Sequence, residues 1–527
     1  MVYCGKPSRG CGNCRKVHKK CDEMHPTCSR CVKTNKKCVG YRDQSDLMFR
    51  DETTRTQTRF RQWETRNRGS DSTSASTTSL SLLLARASKW MYDNCVTPVD
   101  GLFPPIQDVV VCYFYHNTLG TISDKDPVHS LHSQLPNLYS RSDLGSALRL
   151  ATEAISYATS TKLMQEAALL SRKRYIQAIK AIGKAIQDPQ EMVNDQTLYA
   201  ILLLSGYETI SRDPDTTQSW GAHVDGAAAL VKFRSTIEAH SPLSRSMFGF
   251  VRKSVVIGHM QICRPIDEIF CASDVTASSD KSPEDQLMAM AAKIPNLQYR
   301  SNCLFTQTQD ARTGDVEDLF YRARALDREI ADWARTLPTT WSYSAAVNID
   351  NMTNSKFTPC QIHRYPDFYI ARVWNFYRVS RLILQSVLLR ATSWMSISTD
   401  LNEFSDERKP EGSSIELVND ICASVPFLLG HDLSKMKVVA KGGRIKQERT
   451  SGSRVKKSGS THTGRFSLIW PLYVACSASS VPEAQRDWMH MQLRLLAEHG
   501  ETEAHFACFK KSQILLGGAD DVRFDCV

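Results

Sequence analysis

Six cysteines between residues 11 and 38 constrain this chain more than any other feature. They read C-x2-C-x6-C-x6-C-x2-C-x6-C, which is one unit, C-x2-C-x6-C, written twice with an offset of 17 residues. Cys11 therefore maps to Cys28, Cys14 to Cys31 and Cys21 to Cys38. Two thiols separated by two residues are aimed at one metal by a tight turn, and a third from the end of a following short helix closes on the same ion. Each half then offers three ligands, whereas zinc takes four, so six thiols satisfy two zinc ions if two sulfurs are each shared by both metals. A zinc ribbon or RING-like site is the rival reading, but those use four or eight ligands and often histidine. Only His18 and His25 lie nearby, and neither sits at ligand spacing. The segment has almost no apolar residues of its own, so metal binding would be its folding energy.

The rest of the chain bears on what this module serves. The N-terminal residues Met1–Lys6 run straight into basic sequence with no apolar stretch of a secretory signal, which sets the expectation of a protein working inside a cell. Seventeen cysteines in a reducing compartment point to metal ligation or burial rather than disulfides, and for the eleven outside the repeat, scattered singly, core burial is the expectation. No apolar run approaches the roughly 18 residues of a spanning helix, so no membrane anchor is expected. The net charge of +10 is unevenly placed. Residues 1–40 hold ten Lys or Arg against two acids, and 435–465 hold ten against one, so the remainder is net acidic. A lone basic cluster is often only a solvated loop, but the first is threaded through the cysteines.

The repeat, with Arg15 after the second cysteine, Lys20-Cys21-Asp22 at the third and Pro26 in the joining loop, resembles the DNA-binding domain of fungal binuclear zinc cluster transcription factors. The resemblance implies two zinc ions held by Cys11, Cys14, Cys21, Cys28, Cys31 and Cys38, with Cys11 and Cys28 bridging. It also implies a double-stranded DNA partner. In that family the first short helix enters the major groove and Lys or Arg reads the guanines of a CGG-like half-site, while the second half mostly holds phosphates. Guanine suits such side chains because O6 and N7 both accept hydrogen bonds. Carried onto this chain, the contacts fall to Arg15, Lys16, His18, Lys19 and Lys20 in the first half and to Lys33, Lys36 and Lys37 in the second, with Lys16, His18 and Lys19 at the bases. Where the family commonly reads C-R-x-R-K-x-K-C-D, Val17 and His18 replace the Arg-Lys pair. Histidine donates one hydrogen bond to guanine and valine touches only a thymine methyl, so base preference is expected to differ, whereas the cations still supply salt-dependent phosphate binding.

The expected organisation is a zinc cluster domain at 1–45, a polar Ser/Thr-rich linker at 46–98 and an all-α regulatory domain at 99–527, with a basic disordered loop near 435–465. The fold class is thus mostly α, a small metal-nucleated domain plus a large helical one. No apolar heptad is sustained after residue 47, so no coiled coil supports a dimer, although the family admits homodimers. Helical apolar faces occur at 163–186, 194–210, 244–262, 368–390 and 484–498. In the clearest case Val316, Leu319, Phe320, Ala323, Leu326, Ile330 and Trp333 line one face, with Asp315 as expected N-cap and Pro338 as terminator. The stretches Leu198–Leu204, Trp220–Leu230, Ala371–Asn375 and Trp470–Ala475 are similar to the fungal-specific transcription factor domain of the same family.

Catalysis is not expected, because the common nucleophile-elbow, P-loop, zincin and dinucleotide motifs do not occur. His223 and Asp225 beside small residues read as helix packing. The functional expectation is a nuclear regulator of RNA polymerase II genes acting with transcription machinery or co-regulators, its target class being pathway genes such as those of specialised-metabolite clusters. The basic run at 441–457 reads either as a nuclear-import signal or as an insertion. The alternative from another class is a zinc-containing interaction protein without sequence-specific DNA binding.

Overall fold

The computed structural model describes residues 10–17, 19–24, 26–40, 105–119, 126–161, 163–164, 166–210, 219–234, 241–271, 282–306, 313–347, 357–398, 410–431 and 460–498. The expected linker at 46–98, His18 and the expected basic loop as far as residue 459 lie outside them. The N-terminal module carries α1 (Gly12–Lys16) and α2 (Ser29–Lys33). The helical region follows with α3 (Ile106–Leu119), α4 (Pro127–Ser133), α5 (Leu135–Arg141), α6 (Ala147–Thr159), α7 (Ala167–Ala185), α8 (Pro189–Met192), α9 (Asp195–Ile210) and α10 (Ser219–Arg234). It continues with α11 (Pro242–Ile262), α12 (Glu268–Cys271), α13 (Pro283–Ala291), α14 (Ile294–Thr306) and α15 (Thr313–Thr336), then a short antiparallel hairpin of β1 (Ser344–Val347) and β2 (Gln361–Arg364). The last helices are α16 (Phe368–Ser398), α17 (Pro410–Leu428), α18 (Ser460–Cys476) and α19 (Glu483–Glu498).

Several helices start on one local device. Asp126-Pro127, Asp188-Pro189, Ser241-Pro242 and Ser282-Pro283 each place a side-chain acceptor at the N-cap and a proline at the first helical position, where its missing N–H costs nothing. The capping bonds run from Val128 N to Asp126 Oδ1 at 3.0 Å and from Ser244 N to Ser241 Oγ at 2.9 Å. α15 buries Val316, Leu319, Phe320, Ala323, Leu326, Ile330 and Trp333, the face expected from their spacing. Asp315, however, lies in the first turn and not at the N-cap, because the helix starts two residues earlier at Thr313.

The helical region falls into two compact units, one containing Asn137–His240, the other Tyr115–Pro136 with Ser241–Phe524. In the first, α6 packs on α7 and α9. Every residue from Leu198 to Leu204 in α9 is buried, so the helix is apolar all round and lies inside its unit. In the second, α16 is the axis, packed by α14, α15, α17 and α18. Its length carries four arginines, three of which meet carboxylates supplied by distant parts of the chain. Arg372 Nη1 lies 2.9 Å from Asp126 Oδ2, Arg378 Nε lies 3.5 Å from Asp420 Oδ2, and Arg381 binds both oxygens of Asp327. α18 begins at Ser460, so residues 460–465, expected as the end of the basic loop, are helical. It approaches the end of α17 closely at Gly464, where a Cβ would lie 2.2 Å from the Leu428 carbonyl oxygen and 2.9 Å from a Phe368 ring carbon. No helix among the described residues is long and apolar enough to cross a membrane.

Candidate metal centre and nucleic-acid interface

The 17-residue repeat in the sequence is a repeat in the backbone. Cys11 and Cys28 stand at the N-caps of α1 and α2. Arg15 N donates to Cys11 O at 3.1 Å, and its counterpart Val32 N donates to Cys28 O at 3.2 Å. After each helix, Lys19 N donates to Cys14 O at 3.0 Å and Lys36 N to Cys31 O at 2.9 Å. Two residues beyond the third cysteine of each half the backbone turns through positive φ, 57° at Glu23 and 83° at Gly40. The first N–H of each helix is held from outside it: Gly12 N donates to Gly40 O at 3.0 Å, and Ser29 N to the Asp22 carboxylate at 3.1 Å. A Cβ on Gly12 would meet Val39 Cγ2 at 2.8 Å, so glycine permits that closure.

These two frames bring the six thiols together. Cys11, Cys14, Cys28 and Cys31 are buried, and Cys21 and Cys38 pack against them half-buried. Cys11, Cys14, Cys21 and Cys28 have their Sγ atoms within 4.8 Å of one another, and so do Cys11, Cys28, Cys31 and Cys38. The two groups share Cys11 and Cys28. Sγ separations are 3.6 Å for Cys11–Cys28, 3.7 Å for Cys11–Cys31 and 3.8 Å for Cys14–Cys28. A tetrahedron with Zn–S bonds of about 2.3 Å has edges of about 3.8 Å, so the spacing fits zinc.

Electrostatics favour the same reading. The N–H of Cys14 draws Cys11 toward ionisation, but burial and neighbouring thiols outweigh it and push Cys11 up to about 12. Cys28 is likewise pushed up: the Cys31 N–H opposes the shift, while burial and the surrounding thiols drive it. The peripheral thiols go the other way. Backbone N–H groups of Cys28 and Gly40 bring Cys38 down to about 7, and the Cys11 N–H lowers Cys21. Bound cations would favour the thiolate at Cys11 and Cys28, which burial otherwise keeps protonated, and at Cys21 and Cys38, which already lean toward it.

Cations surround the cluster. Lys16, Lys19, Lys20, Lys33, Lys36 and Lys37 are exposed, while Arg15 is half-buried, with its Nη1 buried and lacking a hydrogen-bond partner. Val17 is 51% exposed at the C-terminal end of α1, so an apolar side chain faces outward among them. Asn13 and Arg30 were not singled out from the sequence, and Asp22 only as part of the motif at the third cysteine. Asn13 Nδ2 ties the halves together through Lys37 O at 2.8 Å and Cys31 Sγ at 3.5 Å. Asp22 holds the start of α2, and Arg30 adds an exposed cation to α2. The 17-residue offset was the available signal for Arg30, since it carries the position of Asn13 onto a cation in α2.

His223, read from the sequence as helix packing, lies in a buried polar group of the first helical unit. Its Nε2 is 3.1 Å from Tyr175 Oη, which also bonds Glu208, and burial lowers its pKa to about 4. Of the described cysteines outside the repeat, Cys263, Cys422 and Cys476 are buried, Cys112, Cys271 and Cys303 half-buried, and Cys360 exposed.

Residues 9–47 match the fungal Zn(2)-Cys(6) binuclear cluster domain, and residues 138–352 match the fungal specific transcription factor domain. The chain is similar to transcription factor dbaG of Emericella nidulans, with 24% identity over 413 residues that cover 76% of this chain and 90% of that protein. No solved structure matches.

Proposed function

Because this chain belongs to the fungal binuclear zinc cluster transcription factors and is a DNA-binding regulator carrying two zinc ions, we propose that its N-terminal module reads a short duplex half-site from the exposed side of α1. The observation that carries this reading is the pair of four-thiol groups sharing Cys11 and Cys28, set inside a shell of exposed lysines. Cys14 and Cys21 would complete one zinc site and Cys31 and Cys38 the other, with Cys11 and Cys28 available to both. The zinc ions supply folding energy that so small a segment lacks. Arg15, Lys16, His18, Lys19 and Lys20 form the base-facing half, with Lys16, His18 and Lys19 at the bases. Lys33, Lys36 and Lys37 hold phosphates from the second half. The exposed Val17 favours apolar contact with a thymine methyl where an arginine would select guanine, so the half-site is CGG-like with relaxed or altered preference at one position.

In this reading the zinc module ends at residue 45 and the helical region begins at 99, with the polar linker between them. The helical region is the regulatory part, contacting transcription machinery or co-regulators in the nucleus, and homodimers would place two half-sites at fixed spacing. The resemblance to its family supports a pathway-specific regulator, with specialised-metabolite clusters as target class, and supports no catalytic role.

The test is selection of bound sequences from a random duplex pool by the zinc-loaded full-length protein, with metal content measured on the same sample. About two zincs per chain with an enriched CGG-like half-site is the expected result, and two zincs without any enriched sequence refutes base reading and leaves protein interaction as the module's role.

A further inference from the structure

Given two zinc sites that share Cys11 and Cys28, as proposed for this module, we infer that Asn13 makes the sites unequal: its side-chain N–H at Cys31 Sγ holds the Cys31–Cys38 zinc more firmly than the Cys14–Cys21 zinc, which leaves first. Around four of the six sulfurs the N–H groups obey the 17-residue repeat. The N–H of Cys14 faces Cys11 Sγ, and its counterpart from Cys31 donates to Cys28 Sγ at 3.4 Å. Cys21 Sγ is faced by the N–H groups of Cys11, 3.5 Å away, and Glu23. Cys38 Sγ is faced by those of Cys28 and Gly40. Each donor of the first half therefore has its equivalent 17 residues on.

The remaining pair, Cys14 and Cys31, breaks the repeat. Asn13 Nδ2 donates to Cys31 Sγ at 3.5 Å and to Lys37 O at 2.8 Å. Among the described residues no N–H reaches Cys14 Sγ, whose neighbours are other thiols. The residue 17 positions after Asn13 is Arg30, whose exposed side chain makes no hydrogen bond to a thiol among the described residues. One side-chain amide is thus the difference in donors between two otherwise matching sets of sulfurs.

Asn13 acts on the second site at two of its ligands. Lys37 directly precedes Cys38, so the amide fixes the backbone beside one ligand while its N–H reaches the sulfur of another. A donor aimed at a ligating sulfur orients it and offsets part of its charge, so the bond to the metal yields less readily to a proton or an electrophile. Losing such a partner costs about 10–100-fold in metal affinity, and a single contact to sulfur at 3.5 Å belongs at the lower end, about tenfold. Cys11 and Cys28 cannot supply the difference, because they belong to both groups. Asn13 is therefore a positioning residue for the second zinc, and the half that first loses its metal is the one carrying the residues assigned to the bases.

The experiment uses the full-length, zinc-loaded protein, exposed to a graded series of a zinc chelator and pulsed with N-ethylmaleimide. Modified cysteines are located by mass spectrometry, and zinc per chain is measured on the same samples. The compared thiols are matched in exposure, Cys14 and Cys31 being buried and Cys21 and Cys38 half-buried. In the unaltered protein Cys14 and Cys21 should be labelled about tenfold faster than Cys31 and Cys38. Asn13→Leu, which keeps the size and removes the donor, should bring Cys31 and Cys38 up to the rate of Cys14 and Cys21 and leave the first pair unchanged. A role confined to tying the halves together would speed both pairs alike. The order in the unaltered protein decides the matter if Asn13→Leu folds poorly. Equal labelling of the two pairs, labelling of Cys31 and Cys38 first, or equal acceleration of both pairs in Asn13→Leu overturns the inference while two zincs per chain keep the shared-site reading standing. Fewer than two zincs per chain at the outset overturns both.

Discussion

Replacing one cysteine of the module with serine should have consequences that depend on which cysteine is chosen. Cys14 belongs to one four-thiol group and Cys11 to both. Structural zinc sites bind with an apparent free energy of about 10–16 kcal/mol, so each of four thiols accounts for about 2.5–4 kcal/mol per metal. Cys14→Ser therefore weakens one site by roughly 10²–10³-fold and leaves the other nearly intact. Cys11→Ser takes the same amount from each site, about 5–8 kcal/mol in total, on a segment with no apolar core to absorb the loss. The assay is zinc retained per chain, by elemental analysis of the full-length protein, across a series of chelator concentrations. Cys14→Ser should pass through a plateau near one zinc, while Cys11→Ser should fall from its initial content to none without a plateau. Indistinguishable curves for the two variants would refute the sharing of Cys11.

Other expectations test other links. Lys33→Ala should lower the slope of log affinity for duplex DNA against log salt by about one while leaving the selected sequence unchanged. Val17→Arg should shift the selected half-site toward guanine at one position, read in the same selection. Gly464→Ala should destabilise the helical domain by about 1–3 kcal/mol, since the Leu428 carbonyl cannot retreat as a side chain can; a melting-temperature drop measures it. Burial holds His363 at about 3 and His223 at about 4, against 6.5 for a free histidine. Between those values the unfolded chain binds protons that the fold does not, so stability falls as pH drops below 6.5. The loss by pH 5 is about 2 kcal/mol for each histidine, checked by denaturant titration at pH 7 and pH 5 with His363→Gln as comparison.

The metal module was legible because its chemistry is written in spacing: a 17-residue offset of thiols becomes a 17-residue offset of hydrogen bonds. α15 was equally legible, since a face of seven apolar residues at helical period leaves few alternatives. Its start was misread because Asp315 looks like a cap, while Thr313 and Gly314 continue the helix backwards. The hairpin was missed because β1 and β2 are four residues each, too short for a period-2 signal. The arginines of α16 were missed for a different reason. Their partners lie far away in sequence, 54 residues for Arg381 and Asp327, and no local pattern says which arginine will be answered. Arg30 could have been added to the phosphate set, since it is a cation beside a ligand cysteine.

Gly464 and Leu428 have a consequence for how this protein can change over time. Because the end of α17 and the start of α18 touch, the segment between them departs from and returns to one place. Closing such an excursion costs free energy that grows only with the logarithm of its length, about 0.6 kcal/mol for each doubling. The contact between Gly464 and Leu428 therefore tolerates a wide range of lengths in the chain that joins the two helices, at a small and slowly rising cost.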